Sequence, residues 1–170
     1  MAPSPIHIGN NELLVMTCYG AGGGKIKINK TSDGYEAILV EKHNPREGIA
    51  SDQQTPIMMG EYLWVILPKD AGILGKQLAC YHISDLNNPV WISGKENRYG
   101  IGPYIVCRDK LYLFNDDGEL FMFSQDINSV TLLDRYKVIE GIDAWGPMAL
   151  ADGYLLVRDS RNMLCLYVGL

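Results

Sequence analysis

What this sequence lacks narrows it first. Its 170 residues hold four cysteines, Cys18, Cys80, Cys107 and Cys165, with no C-x-x-C pair and no two adjacent. That spacing excludes the common zinc-ribbon and dithiol redox motifs. Each cysteine lies in a short apolar run, such as Leu164-Cys165-Leu166, and is expected to be a free thiol buried as a small hydrophobe. The 15 Lys and Arg are scattered and outnumbered by 20 Asp and Glu, for a net charge of -5. Without a clustered basic face, neither nucleic acid nor an anionic membrane surface is an expected partner. No apolar stretch approaches the roughly 18 residues of a membrane-spanning helix. Met1 to His7 carry neither a basic nor an apolar leader region, so no signal peptide is read there. No segment holds a sustained helical apolar period, and almost no α-helix is expected.

What is present is a repeat. Pro5, Pro56, Pro103 and Pro147 recur at intervals of 51, 47 and 44 residues. Each opens a short apolar run, then a tight turn, then a second apolar run with Leu13, Leu63, Leu111 or Leu155 near its start. The turns are Gly9-Asn10-Asn11, Gly60-Glu61, Arg108-Asp109 and Asp152-Gly153, residues suited to tight hairpins. Proline is tolerated at a strand start, where its missing N–H breaks no ladder. Third strands are expected over Lys25–Asn29, Gln77–Ile83, Glu119–Ser124 and Met163–Val168, the third entered through the hairpin signal Asn115-Asp116-Asp117-Gly118. Fourth strands are expected near Tyr35–Glu41, Pro89–Ile92 and Val130–Tyr136, with none after the last repeat.

Four strands in roughly 45 residues is the pattern of a β-propeller blade. The expected fold is therefore all-β, a β-propeller of four four-stranded blades, the last incomplete, spanning about 3–50, 51–98, 99–142 and 143–170. A two-sheet sandwich is the alternative, and it would not show this self-similarity. The unpaired strand of the last blade and the apolar flanks of the end blades lead to two further expectations. The chain is half of a seven- or eight-bladed propeller completed by upstream sequence, and in isolation it self-associates through its open edges.

Three stretches carry a family resemblance: Asp143-Ala144-Trp145-Gly146-Pro147 running on to Asp159, Gln53-Gln54-Thr55-Pro56-Ile57 with Tyr62-Leu63-Trp64, and Leu78-Ala79-Cys80-Tyr81 running on to Val90-Trp91. On these the chain resembles the C-terminal half of the quinoprotein-like, pyrroloquinoline-quinone-type β-propellers, including their non-enzymatic bacterial members. The resemblance implies a bacterial, periplasmic or secreted binding protein. It departs from the family where His82 to Trp91 lacks the Thr-Gly of the tryptophan-docking stretch, and in having no adjacent cysteines. Cofactor binding is therefore not carried over, and no cofactor or metal is expected. WD and kelch signatures are also absent, which weakens the reading as a cytoplasmic scaffold.

The candidate chemistry is thin. Tyr19-Gly20-Ala21-Gly22-Gly23-Gly24-Lys25 fails the phosphate-loop spacing, with Ile26 where Ser or Thr must stand, and reads as a flexible hairpin loop. Asp116, Asp117 and Glu119 could suggest calcium but are what a tight turn needs. His7, His43 and His82 stand alone in the sequence, and Asn29-Lys30-Thr31 is a chance-level glycosylation sequon. Trp64 and Trp91 read as core between blades. The positional set is more informative. First strands of blades line a central channel, which places Ser4, Gln53, Gln54, Thr55, Gly102, Asp143 and Trp145 near its rim. Polar and aromatic groups converging on a concave rim suit a small ligand or a peptide. The alternative is that they pack blade against blade and hydrogen-bond neighbouring loops. Two functions compete: a non-catalytic binding or scaffolding propeller, or a fragment of a quinoprotein-type dehydrogenase or other propeller enzyme whose active residues lie in missing blades.

Overall fold

The computed structural model of the chain describes residues 3–17, 19–126 and 128–169. Cys18, one of the cysteines expected to be buried, lies outside the described residues. The described residues are all-β and form four antiparallel sheets, three of four strands and one of three. A single 3-10 turn, Gly72–Leu74, stands among the described residues, and none of them forms a helix long and apolar enough to cross a membrane.

The strands follow chain order across each sheet. The first sheet holds β1 (Ile6–Gly9), β2 (Glu12–Thr17), β3 (Gly22–Lys30) and β4 (Tyr35–His43). The second holds β5 (Ile57–Met59), β6 (Tyr62–Ile66), β7 (Leu78–His82) and β8 (Asp85–Ile92). The third holds β9 (Tyr104–Cys107), β10 (Lys110–Phe114), β11 (Glu119–Asp126) and β12 (Ser129–Lys137). The fourth holds, among the described residues, β13 (Ala149–Ala151), β14 (Tyr154–Arg158) and β15 (Met163–Tyr167).

In every sheet the first two strands are joined by a two-residue loop, at Asn10-Asn11, Gly60-Glu61, Arg108-Asp109 and Asp152-Gly153. Asn10, Asn11, Gly60, Arg108, Asp152 and Gly153 all take positive φ, the left-handed geometry that two-residue hairpins require. The connection from second to third strand is capped by a side chain at one repeat position. Asn115 Oδ1 accepts the N–H groups of Asp117 (3.0 Å) and Glu119 (2.8 Å). Asp159 Oδ1 does the same for Arg161 (2.8 Å) and Asn162 (2.7 Å). The Asp116 and Asp117 signal is thus a turn, as its residue types indicated.

The chain divides into two compact units, Met1–Arg98 and Tyr99–Leu170. In the first, Ile8, Leu14 and Met16 of the first sheet are buried with Leu63, Val65, Tyr81 and Leu86 of the second. In the second unit, Tyr112 and Phe114 of the third sheet are buried with Leu155 and Val157 of the fourth. Both cores obey one rule, because alternate strand residues point to opposite faces. The face carrying Leu14 or Tyr112 packs on the face carrying Leu63 or Leu155 of the next sheet. Outer strands β4 and β12 are almost wholly exposed.

Two expectations need correction. Gly22, Gly23 and Gly24 are not hairpin loop; only residues 19–21 turn, and the three glycines open β3. They are glycine because the chain passes close by. A β-carbon on Gly24 would sit 2.6 Å from the Glu41 carbonyl, and one on Gly23 would crowd His43 Nε2 at 3.0 Å and the Ile49 carbonyl at 3.1 Å. Nor are the cysteines uniformly buried. Cys80 is, Cys107 is half-buried, and Cys165 is exposed, because β15 sends Leu164 and Leu166 inward and Cys165 to the opposite face. The strand of the last position in the second sheet also begins earlier than expected, at Asp85, and pairs with β7 through two register irregularities.

Candidate functional site

The segments leading into the first strands carry the rim candidates, and each unit is described by itself. In the first unit, residues 44–56 run from β4 to β5. Ile49 and Ala50 are fully buried, and Ile49 N–H donates to the Leu86 carbonyl at 2.7 Å. His43 Nε2–H donates to the Ile49 carbonyl at 2.6 Å, which makes this histidine a brace for the segment. Ser51 is buried, and its hydroxyl donates to the Gln54 carbonyl at 2.6 Å. Asp52 Oδ2 accepts the Lys69 N–H at 3.4 Å, tying the segment to the turn after β6. Gln53, Gln54 and Thr55 are half-buried. Thr55 Oγ1 accepts the N–H of exposed Ser4 at 2.8 Å, so two of the rim candidates, 51 residues apart, meet directly.

In the second unit the equivalent segments dock on the turn between second and third strands of their own sheet. Asp116 Oδ1 accepts the Ile101 N–H at 3.0 Å, and Phe114 N–H donates to the Pro103 carbonyl at 2.9 Å. Gly102 is buried here, and a β-carbon on it would overlap the Phe114 carbonyl oxygen, so it is a packing position rather than a presented one. Tyr99 is buried edge-on against Phe121 (5.1 Å) and Phe123 (5.7 Å). Before β13, Ser160 N–H donates to the Ile142 carbonyl at 2.8 Å. Trp145 N–H donates to the Asp143 carbonyl at 2.9 Å, closing a tight turn.

That turn is the most distinctive feature of the set. Asp143 sits at φ +54°, where a non-glycine residue is uncommon and strained. Ala144 between the two is fully buried, while Asp143 is exposed and Trp145 is 40% exposed. The Arg158 guanidinium fills the space that a β-carbon on Gly146 would take, fixing the far side. A buried residue thus separates two exposed ones, an aspartate and a tryptophan.

The other aromatic candidates behave as core. Trp64 is fully buried and Trp91 half-buried, in edge-to-face contact at 5.3 Å within the second sheet. Burial pushes the adjacent Cys80 thiol up to about 11, against a smaller opposing pull from the Trp64 indole.

Sequence reasoning missed several groupings. His82 Nδ1 accepts from the Ser84 hydroxyl (2.7 Å), its Nε2 lies 3.6 Å from Glu61, and its ring stands edge-on to Tyr62 at 5.0 Å. Lys25 bridges Glu41 (3.4 Å) and Glu12 (4.0 Å) across the first sheet. In the second unit a groove of about 250 Å³ is lined by Tyr112, Met122, Arg135, Tyr136 and Tyr167 among others. Arg135 stands over the Phe121 ring at 5.7 Å and pairs with Glu119 at 3.4 Å. The exposed aromatics of β12 and β15 were the available signal for that groove. No group of three or more metal-ligating side chains is found among the described residues.

No protein-family model matches the sequence, and no curated protein matches it. Among solved structures, the chain is similar to the crystal structure of the computationally designed Ika4 protein, with a TM-score of 0.52 at 10% identity, covering 99% of this chain and 100% of that one. At that identity the likeness speaks for fold alone. With the four like sheets it is consistent with a propeller-like arrangement of an all-β chain.

Proposed function

We propose that the chain is a non-catalytic binding and scaffolding β-propeller, about half of a seven- or eight-bladed ring, that holds a protein or small-molecule ligand at its channel rim or loop face. The observation that carries this is the Asp143–Trp145 turn, a strained loop anchored by buried Ala144 that leaves Asp143 exposed and Trp145 40% exposed. Strain of that kind is retained where it positions groups for recognition. A tryptophan two residues from an exposed carboxylate suits a cationic side chain, which gains from a ring face and from negative charge. The class of ligand this favours is a peptide segment bearing Lys or Arg. Exposed Ser4 and half-buried Gln53, beside the Ser4–Thr55 hydrogen bond, are the second candidate contact for such a peptide.

Panning a displayed random-peptide library on the immobilised chain tests the reading. The expected result is a set of Lys- or Arg-bearing peptides whose affinity falls at least tenfold with Trp145→Ala or Asp143→Asn, both variants keeping the strand circular-dichroism signal. Peptides that bind the Trp145→Ala chain as tightly as the original would overturn it.

A further inference from the structure

Each unit leaves one sheet face with exposed apolar residues, and the packing inside the units shows what covers faces of their kind. In the second unit the cross-strand row Ile105–Tyr112–Met122 of the third sheet packs on the row Leu150–Leu155–Leu166 of the fourth. In the first unit the row containing Ile6 and Leu14 packs on the row containing Leu63 and Tyr81 in the same sense. Leu14, Tyr112 and Leu156 are the same repeat position, and so are Leu13, Leu63 and Leu155.

The fourth sheet therefore carries a second packing row, which lies outside the core of its unit among the described residues. It is Ala149–Leu156–Cys165, flanked by Ala151–Tyr154–Tyr167. Tyr154, Leu156, Met163 and Tyr167 are 53%, 39%, 65% and 72% exposed. Soluble single chains rarely leave that much contiguous apolar surface bare. The first sheet carries the complementary row, His7–Leu13–Ile26, with Val15 and Ile28 half-buried beside it and Leu39, opposite Ile26, 58% exposed. One is the type of face that Tyr112 offers; the other is the type that Leu155 offers in reply.

We infer that the face of Tyr154, Leu156, Met163 and Tyr167 docks on the Leu13, Ile26 and Leu39 face of a second copy of this chain. Two copies joined head to tail make two identical junctions and close at eight sheets. The inference rests on the propeller reading above, since closure at two copies needs the sheets to be set around an axis. The pairing is heterologous: a face meets a different face, which either closes as a ring or grows without limit. Among the described residues β15 is the edge strand of its sheet, and the same docking would bring that edge beside the second copy's first sheet.

Light scattering on the full chain at micromolar concentration, with charge-swapped variants, decides it. The unaltered chain is expected at twice the 18.9 kDa of one copy. Leu156→Glu alone and Leu13→Lys alone are each expected at the single-copy mass, because each spoils both junctions. An equimolar mixture of the two is expected to regain the doubled mass, because one junction becomes Glu against Lys and the other is unaltered. Met163→Glu, at a position already 65% exposed, repeats the first arm without touching a buried core. A single-copy mass for the unaltered chain would overturn the inference while leaving the rim-binding reading intact. So would a Leu13→Lys chain that stays doubled while Leu156→Glu does not, since that pattern means like faces pair. A mass that climbs past two copies as concentration rises would overturn closure, and with it the propeller reading.

Discussion

Truncating the same repeat position in all four sheets separates face packing from strand propensity. Leu63, Leu111 and Leu155 are fully buried, while Leu13 is half-buried on the uncovered face of the first sheet. Leu→Ala at a closed site removes about three carbon atoms' worth of transfer energy and leaves a cavity, costing about 2.5–5 kcal/mol. At Leu13 the side chain already meets water, so no cavity forms; about half of a full leucine burial is at stake, roughly 1 kcal/mol. Urea unfolding followed by circular dichroism reads the difference, at submicromolar concentration so that single copies dominate. The expected order is Leu13→Ala far milder than Leu63→Ala, Leu111→Ala and Leu155→Ala. Equal losses at all four positions would refute the reasoning, because the Leu13 face would then be covered within one chain.

Other outcomes follow from local features. Asn115→Ala removes one acceptor from two backbone N–H groups in a turn where Asn115 is 3% exposed, and is expected to cost about 1.5–3 kcal/mol in the same urea assay. The Asp159 carboxylate is held below its ordinary range by the backbone N–H groups of Arg161 and Asn162 and the side chain of Asn162, outweighing its own desolvation. A depressed folded-state pKa adds stability above the unfolded pKa and loses it as the carboxylate protonates. The urea midpoint should therefore fall on acidification below the ordinary carboxylate range, and Asp159→Asn should flatten that part of the profile. With its thiol pushed up to about 11, Cys80 should resist iodoacetamide at pH 8 until the chain unfolds, while exposed Cys165 alkylates at once. Peptide mapping by mass spectrometry reads both.

Much of this fold was legible because it is decided within a few residues. Asn10-Asn11 and Asp152-Gly153 tolerate positive φ, so the hairpins could be placed from residue type alone. Asn115 and Asp159 mark their turns for the same reason, each side chain reaching backbone only two to four residues away. The errors came where a distant segment decides. Gly22 to Gly24 look like loop until β4 and the segment ending at Ile49 pass against them. Cys165 looks buried until the face of β15 it occupies proves to be the uncovered one. The rim candidates divide in the same way. Register along the repeat brought Ser4 to Thr55, but nothing local marked Gly102 as pressed against the Phe114 carbonyl or Asp143 as strained. The His82–Glu61 contact spans a hairpin whose register had to be known first.

The most direct measurement is amide hydrogen exchange of the full chain at submicromolar and at high micromolar concentration. If sheets of this chain stack face to unlike face, two regions should gain protection together as concentration rises: the free face of the fourth sheet, over β14 and β15, and that of the first, over β2 and β3. The buried strands β6, β7 and β10 should not change. Protection that rises in the fourth sheet alone, or in neither, would contradict the account.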